Sequence, residues 1–246
     1  SQICSANIEW IIIDGSIEEI QVKNRSYLSF LKDKIPNKFT IKHFDTNKLS
    51  IKGIYPCMNF AMTVCQGQNI VFMNSGDEFF NENSIDLLFN AILNLESNNS
   101  FVFGNAQVIS PSKISWNFPG HRIKNIDLWL KFFEPNHQSM MITRKLAIEN
   151  SYDVINNVMA DGCWKRQIIN KADKWFFIKK NVCKFYLGGI SSSRPHLKLL
   201  YSQLCIKKIS ITRKIILIIK FLIPPFIYIY YPYIQKIKCL LIEIIL

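Results

Sequence analysis

The sequence predicts an α/β fold: a mostly parallel central sheet with helices on both faces, followed by an apolar, basic helical tail. Three observations carry this expectation. Short β-branched runs alternate with stretches of helical apolar spacing from Ile8 to Phe185, as strands and crossover helices do. Asp14 and Asp77 fall where two of the runs end, the position at which parallel sheets bind ligands. Beyond residue 196 the composition changes, dividing the chain into a domain at 1–196 and a tail at 197–246.

The elements follow in order. Ile8–Asp14 is a buried strand opening into Asp14-Gly15. Glu18–Lys32 is a helix whose apolar residues Ile20, Tyr27, Leu28 and Leu31 keep helical spacing, and Pro36 closes the connection to a strand at 39–44. Ile54, Met58, Ala61, Met62 and Cys65 share a helical face with Gly67 as its cap, before a strand at 69–73. A Ser-capped helix at 84–95, a strand at 101–108, a helix at 126–133, a strand at 138–142, a helix at 160–170 and a strand at 175–185 complete the alternation.

With 49% hydrophobic and 20% charged residues, the chain is folded rather than disordered, collagen-like or coiled-coil. Thirty basic against eighteen acidic residues give a net charge of +12, which favours anionic partners. Seven cysteines stand singly, without CxxC pairs or zinc spacing, so reduced thiols in a cytoplasmic protein are expected. The start, Ser-Gln-Ile-Cys, lacks the marks of a signal peptide and reads as a chain entered partway through.

The tail carries Lys198, Lys207, Lys208, Arg213, Lys214, Lys220, Lys236 and Lys238 with no acidic residue among them. Lys220 and prolines interrupt its apolar run, which argues against a spanning helix. Tyrosines beside lysines fit a segment resting on an anionic membrane; packing on the domain or on a second subunit is the alternative. No motif that reads nucleic acid is visible, so nucleic acid is not expected as a partner.

Six ordered blocks carry a resemblance: IEWIIIDG (8–15), KGIYPCMN (52–59), FMNSGD (72–77), NHQ (136–138), ADGCW (160–164) and GGISS (188–192). Their order resembles that of family 2 glycosyltransferases, most closely the colanic-acid and capsular polysaccharide type. Members begin with a further strand and helix, so the chain is expected to be amino-terminally incomplete.

The resemblance implies a GT-A fold and an inverting enzyme. Such an enzyme moves a sugar from a nucleoside-diphosphate sugar, UDP-linked, to a lipid-linked or polysaccharide acceptor. Its setting would be peripheral, at the cytoplasmic face of the membrane. Asp77 then corresponds to the residue that holds a divalent cation, Mn or Mg, together with diphosphate oxygens; read alone, Asn74–Asp77 is equally a turn. Asp14 corresponds to the carboxylate that reads the nucleotide base, or else is a loop Asp before a turn. Asp161 corresponds to the general base on the acceptor hydroxyl, or is an Asp of a helix's first turn. Asn59, His137 and Gln138 are expected on the donor, and Arg194, after Gly188-Gly189, on phosphate. A catalytically inactive remnant or partner-binding module with the same fold is the alternative to the enzyme.

Overall fold

In the computed structural model of the chain, residues 2–154, 160–188 and 230–245 are described. They form a mixed α/β fold that divides into two units. Unit 1 comprises 1–71, 85–102 and 141–176; unit 2 comprises 72–84, 103–140 and 177–246.

Unit 1 opens with β1 (Ile8–Asp14), α1 (Glu18–Lys32) and β2 (Phe39–Asp45). The two strands pair in parallel, Ile8 opposite Phe39 and Asp14 opposite Asp45. Glu18 and Glu19 in the first turn of α1 and Lys32 in its last complement the helix dipole. The face that α1 buries differs from the expected one: Ile20 and Tyr27 are exposed, while Leu28 and Gln21 are buried. Gln21 goes inside because its amide bridges the strand ends, donating to the Asp14 carbonyl (3.1 Å) and to Asp45 Oδ1 (3.0 Å).

Asp45 also caps the short helix α2 (Thr46–Leu49), accepting from the Asn47 and Lys48 amides. Helix α3 (Ile54–Val64) buries Met58 and Met62. It ends at Cys65 rather than at Gly67, and the amides beyond it donate to Glu9, that of Gln66 at 2.7 Å.

The remaining strands form one sheet in the order β3-β7-β5-β8-β4, with β6 on β5. Here β3 is Asn69–Ile70, β4 Glu78–Phe79, β5 Ser100–Ile109, β6 Ser115–Phe118, β7 Met140–Thr143 and β8 Lys174–Tyr186. The expectation of a mostly parallel sheet is corrected: β3 with β7, β4 with β8 and β5 with β6 all pair antiparallel, and parallel pairing is seen for β1 with β2. For β5 and β6 the physical reason is local, while β3–β7 and β4–β8 join segments distant in the chain. β6 follows β5 through a tight turn at Ser110–Ile114, where the Ser110 amide bonds to Ile114 O, and a turn that short permits only a hairpin.

Helices α4 (Ser84–Leu93), α6 (Arg144–Ile148) and α7 (Ala160–Lys171) complete the regular elements of unit 1. Their buried Leu88, Ile92, Leu146, Trp164 and Ile168 join Phe101 and Ile142 of the sheet in its core.

In unit 2 the core is aromatic. Trp129 of α5 (Ile126–Phe132) is fully buried, 5.3 Å from the Phe118 ring and 5.6 Å from Phe133, while Phe103 stacks on Phe177 at 5.0 Å. Gly104 lets β5 approach β8 closely, since a Cβ there would lie 2.7 Å from Val182 Cγ1. The tail's described part is α8 (Tyr231–Ile245), packed on β6. Among the described residues no helix is long and apolar enough to cross a membrane.

Candidate functional site

Two of the sequence blocks, far apart in the chain, meet in unit 2. Asn74–Asp77 forms a tight turn in which the Asp77 amide donates to Asn74 O (3.1 Å) and Gly76 takes φ +92°, a conformation open to glycine. Asn136 opens a single 3₁₀ turn at His137–Ser139, accepting from the Gln138 amide at 2.9 Å. The two turns are joined twice. Gln138 Nε2 donates to Asp77 Oδ2 at 2.6 Å, and Asn74 Nδ2 lies 3.2 Å from His137 Nε2, a hydrogen bond that a neutral ring accepts. The other Asp77 oxygen accepts from the Tyr186 backbone amide at 2.9 Å, which ties the turn to the end of β8.

The electrostatics follow from burial. Desolvation pushes the Asp77 carboxyl up, against the opposing pull of the Tyr186 and Gln138 hydrogen bonds and of His137. The Cys183 thiol, buried in unit 2 and near the Asp77 charge, is pushed up to about 12. Gln138 is 1% exposed, and its Oε1 has no hydrogen-bond partner among the described residues. With Nε2 committed to Asp77, that oxygen is an acceptor held in reserve.

A divalent cation prefers hard oxygens, and the Asp77 carboxylate supplies them. Among the described residues no three His, Cys, Asp or Glu side chains gather as a metal site. An ion beside Asp77 would draw its remaining ligands from water or from a bound group such as a diphosphate.

The other predicted site residues lie in unit 1, with the exception of Arg194, which falls outside the described residues. Asp14 is 6% exposed. Its Oδ1 accepts from the Ser16 amide (2.9 Å), and its Oδ2 from Asn24 Nδ2 (2.9 Å) and His43 Nε2 (3.1 Å). Burial pushes this carboxyl up, but the hydrogen bonds from Asn24, Ser16 and His43 outweigh it and hold it well below the usual carboxylate range. Beside His43 a cleft of about 240 Å³ opens between α1 and β2, lined also by Arg25, Leu28, Ser29, Lys32 and Ile41.

Asn59 is engaged at both ends by one residue: Nδ2 donates to Tyr152 O (2.9 Å) and Oδ1 accepts from the Tyr152 amide (2.8 Å). This is the hydrogen bonding of a strand partner performed by a side chain, and it ties α3 to the Tyr152 segment. The Tyr152 ring stacks between Tyr55 (5.3 Å) and Trp164 (4.4 Å). Asp161, in the first turn of α7, pairs with Lys165 at 2.8 Å. Burial first, and then the Asp161 charge, push the Tyr152 and Tyr55 phenols up.

The structure thus joins Gln138 to Asp77 and His137 to Asn74 of the same turn, and places Asn59 and Asp161 at the Tyr152 stack. Sequence reasoning missed Asn74 as the partner of His137, although it stands inside the FMNSGD block. It also missed Tyr186, for which no signal existed because the contact is a backbone amide. Compared with family models and with curated proteins, the chain matches none.

Proposed function

We propose that this chain is an inverting glycosyltransferase of GT-A type that takes a sugar from a nucleoside-diphosphate donor, UDP-linked, to a lipid-linked or polysaccharide acceptor. The observation that supports the reading is the joining of Asn74–Asp77 to His137-Gln138. Two blocks of the resemblance converge on one carboxylate, which is oriented by a buried amide on one side and a backbone N–H on the other.

In this reading Asp77, together with diphosphate oxygens, holds a Mn or Mg ion, which neutralises charge on the departing diphosphate. Gln138 and the Tyr186 amide fix the rotation of the Asp77 carboxylate before any ligand arrives, so little orientation remains to be lost on binding. His137, tied to Asn74, is a donor-side hydrogen-bonding group. In the transfer, an acceptor hydroxyl oxygen bonds to the anomeric carbon while the bond from that carbon to the diphosphate oxygen breaks and the electron pair leaves with the diphosphate. Asp161 is assigned the hydroxyl proton.

Calorimetric titration of the chain with UDP, with and without manganese, tests the assignment. Binding that needs manganese, and that weakens by at least about tenfold in Asp77→Ala, is expected. A folded chain that binds UDP equally well with and without Asp77 overturns the metal role. A folded chain that binds none supports the inactive or partner-binding alternative.

A further inference from the structure

The cleft between α1 and β2 is lined by side chains that the periods of the two elements bring together. Arg25, Leu28, Ser29 and Lys32 are spaced three and four apart and so share one face of α1. Ile41 and His43 stand two apart and so share one face of β2. The lining is divided by chemistry. Leu28 and Ile41 are buried and give the cleft an apolar wall. Arg25, Ser29, Lys32 and His43 bring a guanidinium, a hydroxyl, an ammonium and an imidazole to the same space of about 240 Å³, and no carboxylate lines it.

These polar groups are open to a ligand. Among the described residues the side chains of Ser29 and Lys32 have no hydrogen-bond or ion-pair partner. Arg25 stands 3.7 Å from Asp45 Oδ2, beyond hydrogen-bond distance, so its planar fork of donors is not used up. Asp45 itself accepts from Gln21 and from the Asn47 and Lys48 amides. His43 is held through Nε2 by Asp14 at 3.1 Å, which fixes the ring against the wall and leaves Nδ1 for a ligand. Arg25 and Lys32 are two turns apart, about 10 Å along the axis, so their long side chains can close on one group from two ends. Two cations without a lining carboxylate repel metal ions and attract an anion. A phosphate monoester matches this set better than a carboxylate does. It carries a charge of about −1.5 to −2 against two cations, and its three terminal oxygens serve several donors at once. The apolar wall is left for the organic part of the ester.

We propose that the α1–β2 cleft binds a small soluble phosphomonoester, its phosphate held between Arg25 and Lys32 with Ser29 and His43 completing the hydrogen bonds, and its organic part resting on Leu28 and Ile41. The site lies in unit 1 and does not rest on the transferase reading. The full chain is titrated calorimetrically with phenyl phosphate and with inorganic phosphate, in EDTA so that a cation at Asp77 plays no part. Phenyl phosphate is expected to bind, and more tightly than inorganic phosphate. Arg25→Ala with Lys32→Ala, both at exposed positions, is expected to weaken that binding at least about tenfold, since two charge-assisted contacts are lost. Lys124→Ala with Lys145→Ala removes the same charge from exposed positions elsewhere and should change it by less than about twofold. Ser29→Glu sets a carboxylate in the cleft while keeping both cations, and should weaken binding as well. Circular dichroism confirms that each variant folds. In the wild-type chain the amide resonances of residues 25–32 and 39–43 should shift together as phenyl phosphate is added. Equal losses in the two double variants would mean that the ester is drawn by the basic surface at large, and would overturn the site. A wild-type chain that binds neither probe overturns it too, and inorganic phosphate bound as tightly as the ester overturns the role of the apolar wall.

Discussion

Asp14 and Asp77 look alike in the sequence, each an Asp at the end of an apolar run, yet their surroundings pull their carboxyls in opposite directions. Asp14 is met by three donors and its proton is lost easily; Asp77 has two donors against strong desolvation. Because the folded carboxyl of Asp14 titrates below its unfolded value, its hydrogen bonds contribute fully above about pH 4 and fade as the pH falls further. Asp14→Asn is therefore expected to cost about 2 kcal/mol at neutral pH and distinctly less near pH 3. Urea melts of both proteins at the two pH values measure this, and a gap that does not narrow in acid would show that the charge on Asp14 is not what the donors stabilise. That Asp14 closes a strand was legible in the sequence; Asp77, expected at the end of a strand over 69–73, lies instead in the turn before β4, because that strand stops at Ile70. The partners of the two residues were not legible, because Asn24, His43 and Gln138 come from other elements and a hydrogen bond leaves no local pattern.

The long elements were read closely: β1 and α1 fall at the expected residues, and α3, α4, α5, α7 and β8 within a few positions. Their periodicity repeats over enough residues to be recognised. Of the strand expected at 69–73 only Asn69–Ile70 pairs, as β3, and β4 with the short α2 and α6 carry too few positions to show a period; β3 and β4 exist because neighbouring strands complete their hydrogen bonds. Gly104 illustrates a requirement set by such pairing. In sequence it is a strand-weakening glycine; in the sheet it is where a side chain would meet Val182 at 2.7 Å and the Lys180 carbonyl at 2.9 Å. Gly104→Ala is expected to destabilise unit 2 by about 1–3 kcal/mol, because a backbone oxygen cannot step aside. Thermal melting tests it, and an unchanged Tm would mean that β5 and β8 can separate slightly at no cost.

Across the whole molecule, burial sorts the thiols. Among the described cysteines Cys163 is exposed, Cys57 intermediate, and Cys4, Cys65, Cys183 and Cys239 buried. Native alkylation followed by mass spectrometry should therefore label Cys163 first among these six, and Cys183 only on unfolding, since its thiol is both enclosed and pushed up to about 12. Early labelling of Cys183 would mean that β8 opens readily. Composition alone determined that the chain folds around a large apolar core, that its charge is strongly positive and that the tail is basic and apolar, because these are sums over residues and need no neighbours. Hydrophobic periodicity determined which segments are strands and which are helices. Only the tertiary structure decided that the larger sheet is mixed, that α1 buries Gln21 rather than Ile20, that Gln138 turns to Asp77, and that α8 leaves Ile237, Leu241 and Ile244 exposed. Each of these depends on which element lies against which, and pairing across the chain is set by the competition of whole surfaces for burial and hydrogen bonds rather than by any one segment's own preference.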